Sequence, residues 1–122
     1  MGLDMFVFAT DEKIGGDVDF TLPKKVKELH RWRKHPNLHG WMEALYREKG
    51  GSAPDFNCVE VALNSTDIEA LEMDIKGKNL PFTEGFFFGH SFGNETEDDL
   101  DFIKKAKSAF AEGKTVFYGS WW

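Results

Sequence analysis

Between residues 32 and 41 the chain gathers four kinds of side chain that recognise or transform ligands. Trp32-Arg33-Lys34 is followed by His39 and Trp41, so indole, guanidinium, ammonium and imidazole fall within ten residues. A guanidinium grips a carboxylate or phosphate through two parallel hydrogen bonds, and an indole stacks on a planar or cationic group. Arg33 and Lys34 are therefore candidates for holding an anion. Trp32, His39 and, further along, Asn57 complete the set of candidate ligand-binding residues. The competing reading of such a basic run is a solvated face, and Trp41 falls on a helical stripe that belongs to a core.

The other constellations are weaker. His35 and His39 stand four apart, a spacing that lets a regular helix chelate a metal. Pro36 makes the helix begin just where His35 sits, and no Glu follows His35 as a zincin pattern requires. His35 thus reads as a surface cap and His39 as a hydrogen-bonded residue beside the core. No metal and no cofactor are expected. Cys58 with His30, His39 or His90 would form a nucleophile pair. It opens a strand rather than a helix, so it reads as a buried structural cysteine. Gly85, Gly89 and Gly93 match neither the dinucleotide fingerprint nor a phosphate loop. They read as punctuation around a strand, with a polar loop from His90 to Glu95 behind it. No catalytic residue is named by these patterns, and the sequence leaves enzyme and binder both open.

These residues need elements to position them. Leu3 to Ala9 reads as a strand with two apolar faces. Pro23 marks a helix start, and Lys24 to Lys34 reads as a short basic helix burying Val26, Leu29 and Trp32. A second helix runs from Pro36 to Lys49, with Leu38, Trp41, Met42, Leu45 and Tyr46 on one stripe. Cys58 to Leu63 is a strand. Ser65 or Thr66 caps a third helix, Glu69 completing a capping box, and Gly77 and Asn79 close it. Gly85 to His90 carries three consecutive phenylalanines without alternation, so both faces need cover, as in a central strand. Asn94 or Thr96 caps a last helix over 97–112, with Leu100, Ile103, Ala106, Lys107 and Phe110 inward. Thr115 to Trp122 is a last strand. The expected fold is a single α+β domain over 1–122, a mainly antiparallel sheet of about four strands covered by three to four helices.

Length and composition fit that fold. A chain of 122 residues buries roughly two-thirds of its unfolded surface, enough for one core without staples. The aromatic share is high, with 12 Phe and 4 Trp, and Trp121 and Trp122 at the end are candidates for exposed contacts. One cysteine excludes an internal disulfide, so a reducing, cytoplasmic setting is expected. No apolar run nears the ~18 residues of a membrane span. The formal net charge is −6. Residues 24–34 hold six basic side chains against Glu28 alone, so that window is +5 and the rest −11. An acidic whole argues against general nucleic-acid binding.

The motifs also carry a resemblance. Gly2-Leu3-Asp4-Met5-Phe6, Trp32-Arg33-Lys34, Leu38-His39-Gly40-Trp41, Asn57-Cys58, Leu80-Pro81, Gly85 to Gly89 and Tyr118-Gly119-Ser120-Trp121 occur in order over nearly the full length. In this the chain resembles a family of small uncharacterised proteins of phages and bacteria, a domain of unknown function. Pro36 and Gly40 depart from the family pattern. The resemblance implies no activity. It implies that Trp32, Arg33, Lys34, His39, Asn57 and the phenylalanine run share one site or one core. It also implies a host cytoplasm where the chain is phage-encoded. Two functions follow as expectations: an accessory protein acting through a protein partner or as a homo-oligomer, or a small-ligand or phosphate binder or enzyme using the Arg/Lys/His site. Neither the ligand nor the partner is identified by the sequence.

Overall fold

Strand β1, Asp4–Thr10, alternates two sets of apolar side chains. Met5, Val7 and Ala9 face one side and are buried; Phe6 and Phe8 face the other. A strand apolar on both faces belongs in the middle of a sheet, and β1 is paired on both edges. The computed structural model describes residues 2–85, 88–91 and 93–122. In it β1, β2 (Lys27–Arg33), β3 (Glu60–Leu63) and β4 (Thr115–Trp121) form one antiparallel sheet in the order β2-β1-β4-β3.

The basic segment is a strand, not the helix that its Lys, Leu and Arg residues favour locally. Its ladder to β1 decides the matter, because strand formation depends on the neighbour more than on propensity. His30 and Trp32 point into the core, while Glu28, Arg31 and Arg33 do not. The register shifts between Val7 and Phe8, so Leu29 is the extra residue of a bulge, which breaks the alternation that would have marked a strand. Val26, expected to be buried, is 44% exposed.

Helix α1, Pro36–Glu48, buries Leu38, His39, Met42 and Tyr46. Helix α2, Ser65–Lys76, is capped by Asn64, whose side chain accepts from the Asp67 backbone while Asp67 reaches back. The box is thus two residues earlier than Thr66 with Glu69, and its cap one residue before Ser65. Helix α3, Thr96–Ala111, turns Asp99, Phe102, Ile103 and Ala106 inward. The three helices of the described residues join Met5, Val7, Trp32, Val61 and Tyr118 in one core. No described helix is long and apolar enough to cross a membrane.

The described part of the phenylalanine segment is not the sheet centre. Gly85 and Phe88–His90 belong to no strand, and Phe86 and Phe87 lie outside the described residues. Phe88 is instead a buried plug: its ring meets His39 at 5.0 Å and Trp122 at 5.1 Å, both edge-on. Gly85 is required beneath it, because a Cβ there would overlap the Phe88 ring.

Opposite the helices the sheet shows a second face. Directly paired residues share a face, so Arg33, Asp4 and Trp121 form one row. Arg31, Phe6, Gly119 and Glu60 form the next. Arg31 lies over the Phe6 ring at 4.7 Å, and Phe20 meets Phe117 edge-on at 5.3 Å.

Candidate functional site

Helix α1 starts without a cap of its own: His35 occupies the N-cap and its side chain makes no capping bond. The bond comes from afar. Ser91 Oγ accepts the Asn37 backbone N–H at 3.1 Å, which meets one of the donors every helix leaves unpaired at its start. The same oxygen lies 2.7 Å from His35 Nδ1, and His35 Nε2 lies 2.9 Å from Asp99 Oδ2. Asp99 Oδ1 accepts the Trp32 indole N–H at 2.9 Å. His35 and Asp99 are buried and Ser91 is half-buried. His35, expected at the surface, is thus the middle of a chain from Ser91 to a carboxylate that is 2% exposed.

The carboxylate only accepts, so Asp99 holds a proton on Nε2 of His35. In the neutral ring Nδ1 then presents its lone pair to the Ser91 hydroxyl. A hydroxyl, an imidazole and a buried carboxylate joined in this order are the parts of nucleophilic catalysis, recognised by geometry rather than by position in the chain. Glu95 Oε2 stands 3.9 Å from His35 Nδ1.

Two depressions meet at this group and share His35 and Glu95. The smaller, about 130 Å³, is walled by Asn37, Lys78, Leu80, Ser91 and Thr96. The larger, about 460 Å³, runs between β2 and the start of α3 past Arg31, Arg33, Lys34, His90 and Asp98. Lys34 and Lys78 both adopt the left-handed region, each with φ 55°. That conformation costs a non-glycine residue about 1 kcal/mol and collects at functional positions. Lys34 follows the last residue of β2 and its stem packs against Gly89; Lys78 follows the C-cap of α2, where glycine is usual.

The five expected site residues do not share one pocket. Trp32, Arg33 and Lys34 line the larger cleft. Arg33 pairs with Asp4 at 3.1 Å, and the Trp32 ring is buried with its N–H on Asp99. His39 and Asn57 lie apart, in a second cluster. His39 Nδ1 is 2.7 Å from the Tyr118 hydroxyl, and its ring packs on Phe56 and Phe88. Burial lowers the His39 pKa from 6.5 to about 4 and raises that of Tyr118 well above its ordinary value. Asn57 ties down the chain end by accepting the Trp122 N–H and donating to its carbonyl. The Trp122 indole donates to the Phe56 carbonyl. Cys58 is exposed rather than buried.

Sequence reading missed Ser91 and Asp99 as partners of His35. One signal was present: Asp99 precedes Phe102, Ile103 and Ala106 at helical spacing, so it occupies the apolar stripe of α3. An acid on a buried stripe demands buried donors. Among the described residues no three His, Cys, Asp or Glu side chains are placed to hold a metal.

A further depression, about 490 Å³, lies elsewhere, between Gly15-Gly16 and the start of α2. Its Lys49 is satisfied by Asp67 and the Ala62 carbonyl, both at 2.6 Å, so it offers less to an anion than its size suggests. No protein-family model matches this chain, nor does any curated protein or solved structure.

Proposed function

We propose that this chain binds a small anionic ligand, a carboxylate or phosphate compound, across the two depressions that meet at His35 and Glu95, the cleft between β2 and the start of α3 and the smaller one walled by Lys78. The observation that supports it is the pair Lys34 and Lys78. They wall the two connected depressions, both in a strained backbone conformation. Among the described residues neither ammonium has an ion pair or hydrogen bond. Arg31 and His90 line the same wall. Glu95 and Asp98 oppose them, which favours a ligand with one or two negative charges and hydroxyls of its own.

Thermal melting with inorganic phosphate, acetate, sugar phosphates and nucleotides tests the reading. A ligand at about 100 times its Kd stabilises by about 2.7 kcal/mol, a rise of several degrees. Lys34→Gly and Lys78→Gly relieve the backbone strain, so each holds or raises the melting point without ligand. Each is expected to weaken the ligand about tenfold, or ~1.4 kcal/mol. No shift with any of these compounds would refute the reading.

A second reading, an accessory protein that pairs with a further protein surface, is favoured by the outer sheet face. There Trp121 is 68% exposed, one row along from Phe6, which carries Arg31 over its ring. Aromatic and Arg side chains dominate interface energetics. A second copy of the chain is the occupant whose charge fits. Kinship with the small phage and bacterial proteins, and work in a cytoplasm, belong to the same proposal and rest on motifs and cysteine usage alone.

A further inference from the structure

We infer that Ser91 is a nucleophile activated by His35, and that the chain hydrolyses short acyl esters or thioesters whose other end is anionic. The inference takes its substrate class from the anion-binding cleft but stands on separate atoms. Ser91 Oγ lies 2.7 Å from His35 Nδ1, and His35 Nε2 lies 2.9 Å from the buried Asp99. A structural bridge would need only the Ser91 bond to Asn37 N–H. It would not need a buried imidazole held by a second carboxylate contact in a single tautomer. Asp99 is in turn fixed by Trp32, so the ring that faces the serine is oriented from behind, as a base must be.

The reaction balances with water as the only co-reactant. Ser91 Oγ attacks the acyl carbon while its proton passes to His35 Nδ1, and the carbonyl becomes a tetrahedral oxyanion. Collapse breaks the bond to the alcohol or thiol, which leaves with the proton from His35. Water then attacks the acyl-serine, giving its proton to Nδ1; the carboxylic acid departs and the proton returns to Ser91. Asp99 keeps Nε2–H throughout and faces the transient imidazolium. Asn37, Lys78 and Thr96 on the wall of the 130 Å³ cavity offer donors to the oxyanion. That volume limits the acyl part to a short chain, and the 460 Å³ cleft takes the anionic part.

The test is covalent labelling of the whole chain by a dialkyl fluorophosphate. The Ser91 oxygen would displace fluoride, read by intact mass and peptide mapping. One adduct on Ser91 is expected, formed at least 100-fold faster than on the urea-unfolded chain, since a positioned base is worth about 10²–10⁴. His35→Gln is expected to remove that advantage, and p-nitrophenyl acetate hydrolysis should fall with it. No adduct, an adduct elsewhere, or labelling no faster than in urea overturns the inference, and the urea comparison needs no variant to fold. Labelling without an anion-induced thermal shift sinks the ligand reading and, with it, the anionic end of the substrate, while Ser91 stands as the nucleophile. A shift without labelling sinks this one alone.

Discussion

A single buried imidazole ties the stability of this chain to pH. His39 is 1% exposed, packed between Phe56 and Phe88, with its Nε2 lacking a hydrogen-bond partner among the described residues. Burial holds its pKa at about 4 against 6.5 in an exposed chain. On acidification the unfolded state therefore takes up the proton first. The contribution is fully present above pH 6.5 and is lost as pH falls toward 4, up to about 3 kcal/mol. His39→Gln keeps a polar side chain but cannot titrate. Urea unfolding at about pH 7 and pH 4.5 should show a larger acid loss for the parent chain than for the variant. Equal losses would rule His39 out as the cause. Its helical position among Leu38, Met42 and Tyr46 already made it a core neighbour in the sequence. That His35, four residues earlier, is buried too could not be read there. Its burial depends on Ser91 and Asp99, which are 56 and 64 residues distant.

At the scale of elements, local chemistry was legible where an element's own residues decide it. Helix α1 follows its apolar stripe and Pro36, and α2 ends at Gly77 as its sequence announces. Strand β2 was not legible, because a bulge at Leu29 and helix-favouring Lys and Arg residues conceal a ladder that only β1 supplies. The phenylalanine run misled in the opposite way. Phe88, the described ring of that run, takes its cover from His39 of α1 and from Trp122, not from flanking strands. Gly40 is the hinge of that arrangement. A Cβ there would overlap the Thr83 side chain, and the Thr83 backbone N–H is held by Asn37 Oδ1 at 3.0 Å. In an unconstrained helix interior Gly→Ala adds about 0.5–1 kcal/mol. Here Gly40→Ala is expected to reverse that sign, lowering the melting point by pushing the segment around Thr83 off α1. Hydrogen exchange should show the Thr83 amide losing protection before the amides of α2. A stabilised variant would show that the 80–95 segment does not rest on α1.

For the whole molecule, composition and pattern sufficed for an α+β fold with four strands. They could not order those strands, because pairing partners are set across more than a hundred residues, as between β1 and β4. That order leaves charges of opposite sign on the two margins of the outer face, Arg31 on β2 and Glu60 on β3, with Phe6 and Gly119 between them. Burial and the nearby Asp19 raise the Glu60 pKa, so this carboxyl would gain from a cation that its own chain does not place there. Two copies stacked face to face about a two-fold axis along the strands would set each Arg31 over the other's Glu60. The exposed Trp121 rings would lie inside the contact, and a self-complementary patch is what a closed dimer requires. Light scattering across a dilution series should therefore show a dimer that dissociates. Trp121→Ala should be monomeric at every concentration. Its stability when dilute should change by less than about 0.5 kcal/mol, as for other surface substitutions. Arg31→Glu should separate the copies, and Arg31→Glu with Glu60→Arg should restore them. A parent chain that is monomeric throughout would leave this face without the occupant its charges fit.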